Sequence, residues 1–363
     1  MSRLAIALVL VSTVGLALPR PARPSQSAPL RRTDPADARA ADLAYAAMRR
    51  RFAFADGSYA ASDSRSSSAH LWPLSQALSA SLAVGSLPGR AAAAARADAR
   101  RTVGVLPRYR SAEGYESIPL AERVGRGNLY YDDNNWVALD LIAVYRLSGK
   151  RTILRRAEGV FRFLASGWDT AARDPCPGGV FWARPPLQQI RTTVSTANAA
   201  LVALRLYETT RRRSYLAWAE RMYGWVRQCL AAPDGLYFDH LDSRGKVSKH
   251  EWTYNQGAMI AAGVLLARAT GQRTYLEQAE ASAEAALARY GASGFRGEPP
   301  IFVAIFFGDL SLLESVMPLR AYRTELRSYL RRRIPLRPDG HFGSSLIFQA
   351  AAVQLYSDAA RVP

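Results

Sequence analysis

Cysteine, histidine and lysine are scarce in this chain. Its 363 residues hold two cysteines, Cys176 and Cys229, and four histidines, His70, His240, His250 and His341. None stands at metal-ligand spacing from another, which argues against a metal centre or a thiol redox site. No serine lies in a G-x-S-x-G elbow and no G-x-x-x-x-G-K-[ST] loop occurs, so those hydrolase and nucleotide-binding classes are set aside. Long apolar runs are missing too, except at the start, where Leu4 to Leu18 follows Met1-Ser2-Arg3. That run is short for a membrane span, which needs about twenty residues. A basic start before a short apolar run is the layout of a secretory signal, with Gly15-Leu16-Ala17 supplying small residues for cleavage. Residues 1–18 are read as a signal peptide or N-terminal anchor, and the rest as secreted or held at the cell envelope. In that oxidising setting Cys176 and Cys229 either pair or remain as two buried thiols.

Lysine is confined to Lys150, Lys246 and Lys249, so the excess of 48 basic over 30 acidic residues is almost all arginine. The runs Arg49-Arg50-Arg51, Arg211-Arg212-Arg213 and Arg331-Arg332-Arg333 fall at helix ends or polar helix faces. Cations there suit solvation and the helix C-terminal dipole. No helix-turn-helix, zinc-finger or RNA-module signature accompanies them, so nucleic acid is not expected as a partner. Attraction to a membrane, an anionic envelope or an acidic polysaccharide is the better expectation, and it implies sensitivity to ionic strength. A monomer is expected.

Residues 19–36 are rich in Pro, Ser and Arg and read as a disordered linker. Residues 37–363 read as a single domain. Apolar spacing there is overwhelmingly helical: Ala138, Leu141, Ile142 and Tyr145 lie at i, i+3, i+4 and i+7, as do Ala199, Val202, Ala203 and Leu206. The alanine-rich Arg90–Arg101 stretch predicts a further helix. Strand-like alternation is confined to Gly179–Trp182 and Gly235–Phe238. A pattern (I/Y)-L-x-x-A-E recurs at Ile153–Glu158, Tyr215–Glu220 and Tyr275–Glu280, each after a turn signal. The unit is helix, short turn, helix, long loop. Repeated helix pairs form a solenoid or a closed ring. The long loops carry the unusual aromatics, and about six pairs fit between Asp37 and Tyr356, so an all-α toroid of helix pairs is predicted, with its loops gathered over one cleft.

Tyr130-Tyr131-Asp132-Asp133-Asn134-Asn135-Trp136 introduces one of those helices. Two adjacent acids repel each other, so a fold gains little by keeping both ionised. Glycoside hydrolysis needs such a pair, one acid to protonate the leaving oxygen and one carboxylate to attack or to activate water. The aromatics offer flat faces on which sugar rings stack. The plainer reading is that Asp and Asn cap the helix. Trp252-Thr253-Tyr254-Asn255-Gln256-Gly257 is a second constellation, suited equally to binding sugar hydroxyls and to closing a helix start. Ser195-Thr196-Ala197-Asn198 is a weaker one, its Ser and Thr being good caps. Trp72, after His70 and Leu71, is a stacking platform or a core tryptophan.

Taken together and in order, these motifs resemble glycoside hydrolase family 76, the α-1,6-mannanase family. Tyr131-Asp132-Asp133-Asn134 with Trp136 resembles its catalytic segment, Gly178-Gly179-Val180-Phe181-Trp182 its glycine-rich loop before a tryptophan, and Thr193–Asn198 and Trp252–Gly257 two further motifs. The resemblance implies an (α/α)6 barrel and retaining hydrolysis of α-1,6-mannan or a related cell-envelope polysaccharide. It implies Asp132 as nucleophile, Asp133 as general acid/base, and no metal or organic cofactor. Substrate contacts are expected from Trp72, Tyr131, Asn135, Trp136, Trp182, Asn198, Trp252, Tyr254, Asn255 and Gln256. One segment departs: Gly308-Asp309 stands where an Arg-Asn pair is usual, which places substrate identity in question. The rival readings are a wall-glycan-binding protein, its acids serving as caps and ligands, and a transglycosylase on the same scaffold.

Overall fold

The computed structural model describes residues 33–123, 127–171 and 176–361; the expected signal peptide lies outside them. Twelve α-helices are formed among the described residues, and apolar patterning sorts them into two layers. Helices α2 (Leu71–Gly85), α4 (Tyr131–Ser148), α6 (Thr193–Thr210), α8 (Thr253–Thr270), α10 (Pro300–Glu314) and α12 (Leu346–Arg361) are apolar on most of their circumference. A helix of that kind must be covered on all sides. These six form the inner ring: each packs on the next, and α12 packs back on α2, which closes it.

The other six, α1 (Pro35–Phe52), α3 (Ala91–Val105), α5 (Arg151–Ser166), α7 (Arg213–Cys229), α9 (Arg273–Ser293) and α11 (Arg320–Arg333), carry many charged residues and cover the ring from outside. Helices α3, α5, α7 and α9 each lie on the inner helix that precedes them, while α1 lies on α12. The arrangement is the expected (α/α)6 barrel. The alanine-rich stretch is α3. Helix α1 begins at Pro35, two residues inside the span read as linker, because Asp34 caps it by accepting from the Ala36 and Asp37 N–H groups.

The recurring (I/Y)-L-x-x-A-E motif opens α5, α7 and α9. Its alanines, Ala157, Ala219 and Ala279, are buried to within 1%, and their small size lets the outer helix approach the inner one. The short turns before them use one device. Gly149, Arg211 and Gly271 take left-handed φ values of 66°, 59° and 76°, and each donates its N–H to the carbonyl four residues back. Glycine accepts that conformation without strain; Arg211 does not.

The long loops are held at the opposite end. Strands β1 (Arg191–Thr192), β2 (His240–Leu241) and β3 (Val247–Ser248) form a small antiparallel sheet in the order β1-β2-β3. The two segments read as strand-like contribute isolated bridges instead, Trp168 with Val180, Phe181 with Arg191, and Ala231 with Tyr237. Cys176 and Cys229 form a disulfide that ties the loop after α5 to the end of α7. Beside it, the buried Arg191 guanidinium pairs with Asp169 at 3.1 Å and donates to the Cys176 carbonyl at 2.9 Å. No helix among the described residues is long and apolar enough to cross a membrane.

Candidate active site

The loop end of the ring holds a cavity of about 660 Å³ lined by Trp72, Tyr130, Asp132, Asp133, Trp136, Trp182, Tyr254 and Phe302, among others. Asp132 and Asp133 are the second and third residues of α4. Successive helical residues project about 100° apart, yet both acids reach this one cleft. They are held differently. Asp132 Oδ2 accepts from the Trp182 indole N–H at 2.9 Å, and Oδ1 accepts from the Asp133 backbone N–H at 3.0 Å. No hydrogen-bond donor among the described residues meets the Asp133 carboxylate.

That asymmetry separates their protonation. Burial pushes the Asp132 pKa up to about 6, opposed by the Trp182 and backbone donors and reinforced by nearby Asp239. Asp133 is pushed well above the usual carboxylate range, first by burial and then by the charge on Asp132. Two carboxyl groups whose surroundings drive their pKa values apart are suited to one ionised and one protonated role.

Trp182 is aimed by the loop before it. Gly178 and Gly179 have φ values of 108° and 82°, and a Cβ on Gly179 would come within 2.5 Å of the Trp225 ring. Only glycine permits the chain to pass there. The Trp182 N–H then donates to the Ile190 carbonyl, and the Trp182 carbonyl accepts from the Tyr131 N–H at 2.9 Å. The second bond satisfies a free N–H in the first turn of α4 and locks loop to helix.

The aromatic expectations divide. Trp72, Trp136, Trp182 and Tyr254 line the cleft, and the Trp72 indole N–H is buried without a partner. Tyr131 does not line it. Its ring is buried and stacked on Phe163 of α5 at 4.6 Å, so it belongs to the core, and Tyr130 takes the place expected of it. Trp252 is outside the cleft lining, packed on His250 at 3.7 Å and edge-on to Phe302 at 5.3 Å.

The amides mostly hold the scaffold. Asn135 is fully buried and donates to the Ser195 carbonyl of α6 at 3.0 Å. Asn198 donates to Val194 within its own helix, and Asn255 donates to Asp239 at 3.3 Å. Gln256 clamps the preceding loop, accepting from the Tyr237 N–H and donating to the Tyr237 carbonyl, both at 2.9 Å. All four amides are fully buried, and the Oδ1 atoms of Asn135, Asn198 and Asn255 accept no hydrogen bond among the described residues. The cap of α6 is Thr192, which accepts from the Ser195 N–H; Ser195 and Thr196 are inside the helix.

Three features of the site escaped the sequence reading. Phe302 stacks on Tyr254 at 3.9 Å and meets Trp72 at 6.0 Å, forming one wall of the cleft. Asp239, bonded to His240 at 2.8 Å, lies close enough to Asp132 to influence its charge. Asn134 clamps Tyr115 as Gln256 clamps Tyr237, accepting its N–H at 2.8 Å and donating to its carbonyl at 2.9 Å. A signal existed for the last: both amides are the fourth residue of an inner helix. The departing pair Gly308-Asp309 sits about two turns along α10 from Phe302 and is not part of the cleft lining. Burial pushes the Asp309 pKa up to about 7, with Arg205 of α6 opposing and Asp358 of α12 reinforcing.

The sequence profile of glycosyl hydrolase family 76 matches residues 44–298. Two yeast proteins are similar. The mannan endo-1,6-α-mannosidase of Candida glabrata is 28% identical over 187 residues, 48% of this chain and 41% of its own length. That of Saccharomyces cerevisiae is 32% identical over 177 residues, 45% and 38% respectively. The matched part is thus less than half of either relative. Among solved structures, a family 76 mannosidase of Bacteroides thetaiotaomicron superposes with a TM-score of 0.79 at 20% identity, covering 90% of this chain and 98% of that one. An inactive variant of the Salegentibacter α-1,6-mannanase, carrying two consecutive Asp-to-Asn changes and bound to α-1,6-mannotriose, gives 0.75 at 18% identity, with 89% and 99% covered.

Proposed function

The chain belongs to glycosyl hydrolase family 76, and we propose that it is an exported, retaining hydrolase of α-1,6-linked mannan in which Asp132 attacks and Asp133 supplies the proton. The observation that carries this reading is the shared cleft with its unequal acids: one carboxylate held by two N–H donors, its neighbour held by none. Asp132, ionised, attacks the anomeric carbon while Asp133 protonates the departing glycosidic oxygen. Asp133, now ionised, then takes a proton from water, which displaces Asp132 and restores both groups. Retention is favoured because adjacent side chains can reach the roughly 5–5.5 Å separation of that mechanism more readily than the wider inverting gap. The Salegentibacter relative, inactive with two consecutive aspartates replaced, supports the same pairing here.

Cleavage within a chain suits the shape. Arg123, Gly127 and Asn128 line both the main cleft and a second cavity of about 160 Å³ that reaches Pro185 and Leu187, so the two adjoin and extend the binding surface. A polysaccharide can lie along it with Trp72, Trp136, Trp182 and Tyr254 as stacking faces. Export is supported by the signal-like start and by the Cys176–Cys229 disulfide, which belongs to an oxidising compartment. No metal or organic group enters this chemistry, and the domain acts as a monomer.

The test is incubation with linear α-1,6-mannan, following new reducing ends and, by proton NMR, the anomer released first. Shorter oligosaccharides appearing as the α-anomer are expected. Release of the β-anomer first would overturn the retaining assignment, and the absence of any new reducing end would overturn the hydrolase reading.

A further inference from the structure

The three arginine runs differ in what surrounds them. Arg49 pairs with Asp98 and Arg51 with Asp339. Arg212 pairs with Glu158, and Arg211 lies over the Tyr207 ring. At Arg331-Arg332-Arg333, no carboxylate among the described residues forms an ion pair with any of the three. Their position in the last turn of α11 suits the helix dipole, but the dipole does not account for Arg337, which lies four residues past the helix end and likewise forms no ion pair among the described residues. Arg332, Arg333 and Arg337 line one cavity of about 600 Å³ together with Tyr329, Leu336 and Phe342.

The cavity's place in the fold gives it a meaning. Pro300 lines it, while Phe302, two residues on in the first turn of α10, lines the cleft. Two residues along a helix turn the side chain by about 200°, and a helix with its side chains is about 10–12 Å across. The two cavities therefore flank a single helical turn at the loop end of the barrel. One acid borders the basic cavity, Glu298, and it is turned to α8: its Oε2 accepts from the Thr253 N–H at 3.0 Å and the Thr253 hydroxyl at 2.7 Å. Glu298 is thus engaged by α8 and forms no ion pair with these arginines among the described residues.

We propose that this cavity is an anion subsite that holds a phosphoryl group carried on the glycan. The proposal rests on the mannan reading and narrows its substrate to a phosphorylated chain. Guanidinium forks match phosphate oxygens in pairs, and the partly exposed Phe342 ring offers an apolar face to the attached sugar. The cavity's volume is close to that of the cleft, room enough for a sugar phosphate, and the exposed guanidinium groups can meet one from solvent.

The experiment compares phosphorylated yeast mannan with the same mannan after removal of its phosphate. Binding is read by affinity electrophoresis on the Asp132→Asn protein, so the result does not depend on turnover. The phosphorylated form is expected to bind about tenfold more tightly at low salt, an advantage that fades as salt is raised. Combined Arg332→Gln, Arg333→Gln and Arg337→Gln changes should abolish the preference and leave binding of the dephosphorylated mannan unchanged. A control removes the same charge at exposed Arg100, Arg151 and Arg213, which form no ion pair among the described residues, and should keep the preference; thermal melting establishes that both variants are folded. An equal affinity for the two mannans, a preference surviving the first triple change, or its equal loss in the control overturns the subsite. Hydrolysis of neutral mannan by the unaltered protein tests the parent reading separately.

Discussion

Two junctions of this barrel are built alike and do different work. At α4 a long loop turns into Tyr131-Asp132-Asp133-Asn134; at α8 another turns into Thr253-Tyr254-Asn255-Gln256. In each, the second residue faces the cleft and the fourth clamps the loop by a two-way amide bond to the N–H and carbonyl of one loop residue. The same fourth position in α12, Gln349, accepts from Phe342 and donates to Gly340 and Ala44, and in α6 the Thr196 hydroxyl accepts from Val180. The junctions part at the third residue. Asp133 opens to the cleft, whereas Asn255 is buried and donates to Asp239. Place in the first turn fixes the direction at the second and fourth positions, towards the cleft and towards the loop respectively, whereas at the third the two junctions differ.

The sharpest way to break the comparison is at the acids. Asp132→Asn and Asp133→Asn should each lower kcat on α-1,6-mannan by at least about 10³-fold, while thermal melting stays near that of the parent. Full activity in both variants would falsify their assignment. On the proposed roles, the same pair should set the pH profile. Asp132 must be ionised, so activity should rise through a limb near pH 6, and Asp133 must be protonated, so activity should fall once pH exceeds its raised pKa.

The clamps test the scaffold half of the comparison. Asn134→Leu and Gln256→Leu each strand a buried N–H and carbonyl of the loop, and should cost about 2–3 kcal/mol in a denaturant titration. Asn255→Leu breaks one longer bond and should cost less. Equal losses at the third and fourth positions would contradict the distinction drawn between them.

Trp182 joins the halves. In Trp182→Phe the ring remains but the donor to Asp132 is gone, so kcat should fall by about tenfold. The lost donor favoured the charged carboxylate, so the acid limb should also move to higher pH. An unmoved limb would separate Trp182 from the charge of Asp132. The smallest effect is expected at the far end of the barrel, where Arg211→Gly should relieve the left-handed turn and stabilise the protein by about 1 kcal/mol without changing kcat.

Residue order carried the repeat, because a helix pair must show its apolar stripe at helical spacing wherever it occurs. Ala157, Ala219 and Ala279 mark the pairing, and their register between turns predicted a ring with loops at one end. Asp132 and Asp133 stood out for a similar reason: adjacent acids among aromatics are costly unless used. Trp72, Trp182 and Tyr254 were also legible as aromatics of the long-loop segments, and Trp136 from its place beside the acids. The choice between Tyr130 and Tyr131 was not, since both directions are open to an aromatic until Phe163 of α5 offers a stacking partner.

The polar amides mark the boundary most clearly. Asn135, Asn198, Asn255 and Gln256 have the chemistry of sugar ligands, and nothing local distinguishes them from such ligands. They are fully buried because loop backbone and neighbouring helices arrive at their side chains before solvent can. Chain order thus specifies which residues can do chemistry and where helices start and stop, through local propensity and apolar period. Which of those residues meet in one cleft depends on closure of the ring, where α12 returns to α2 and brings Trp72, Asp132, Tyr254 and Phe302, distant in the chain, around a common space.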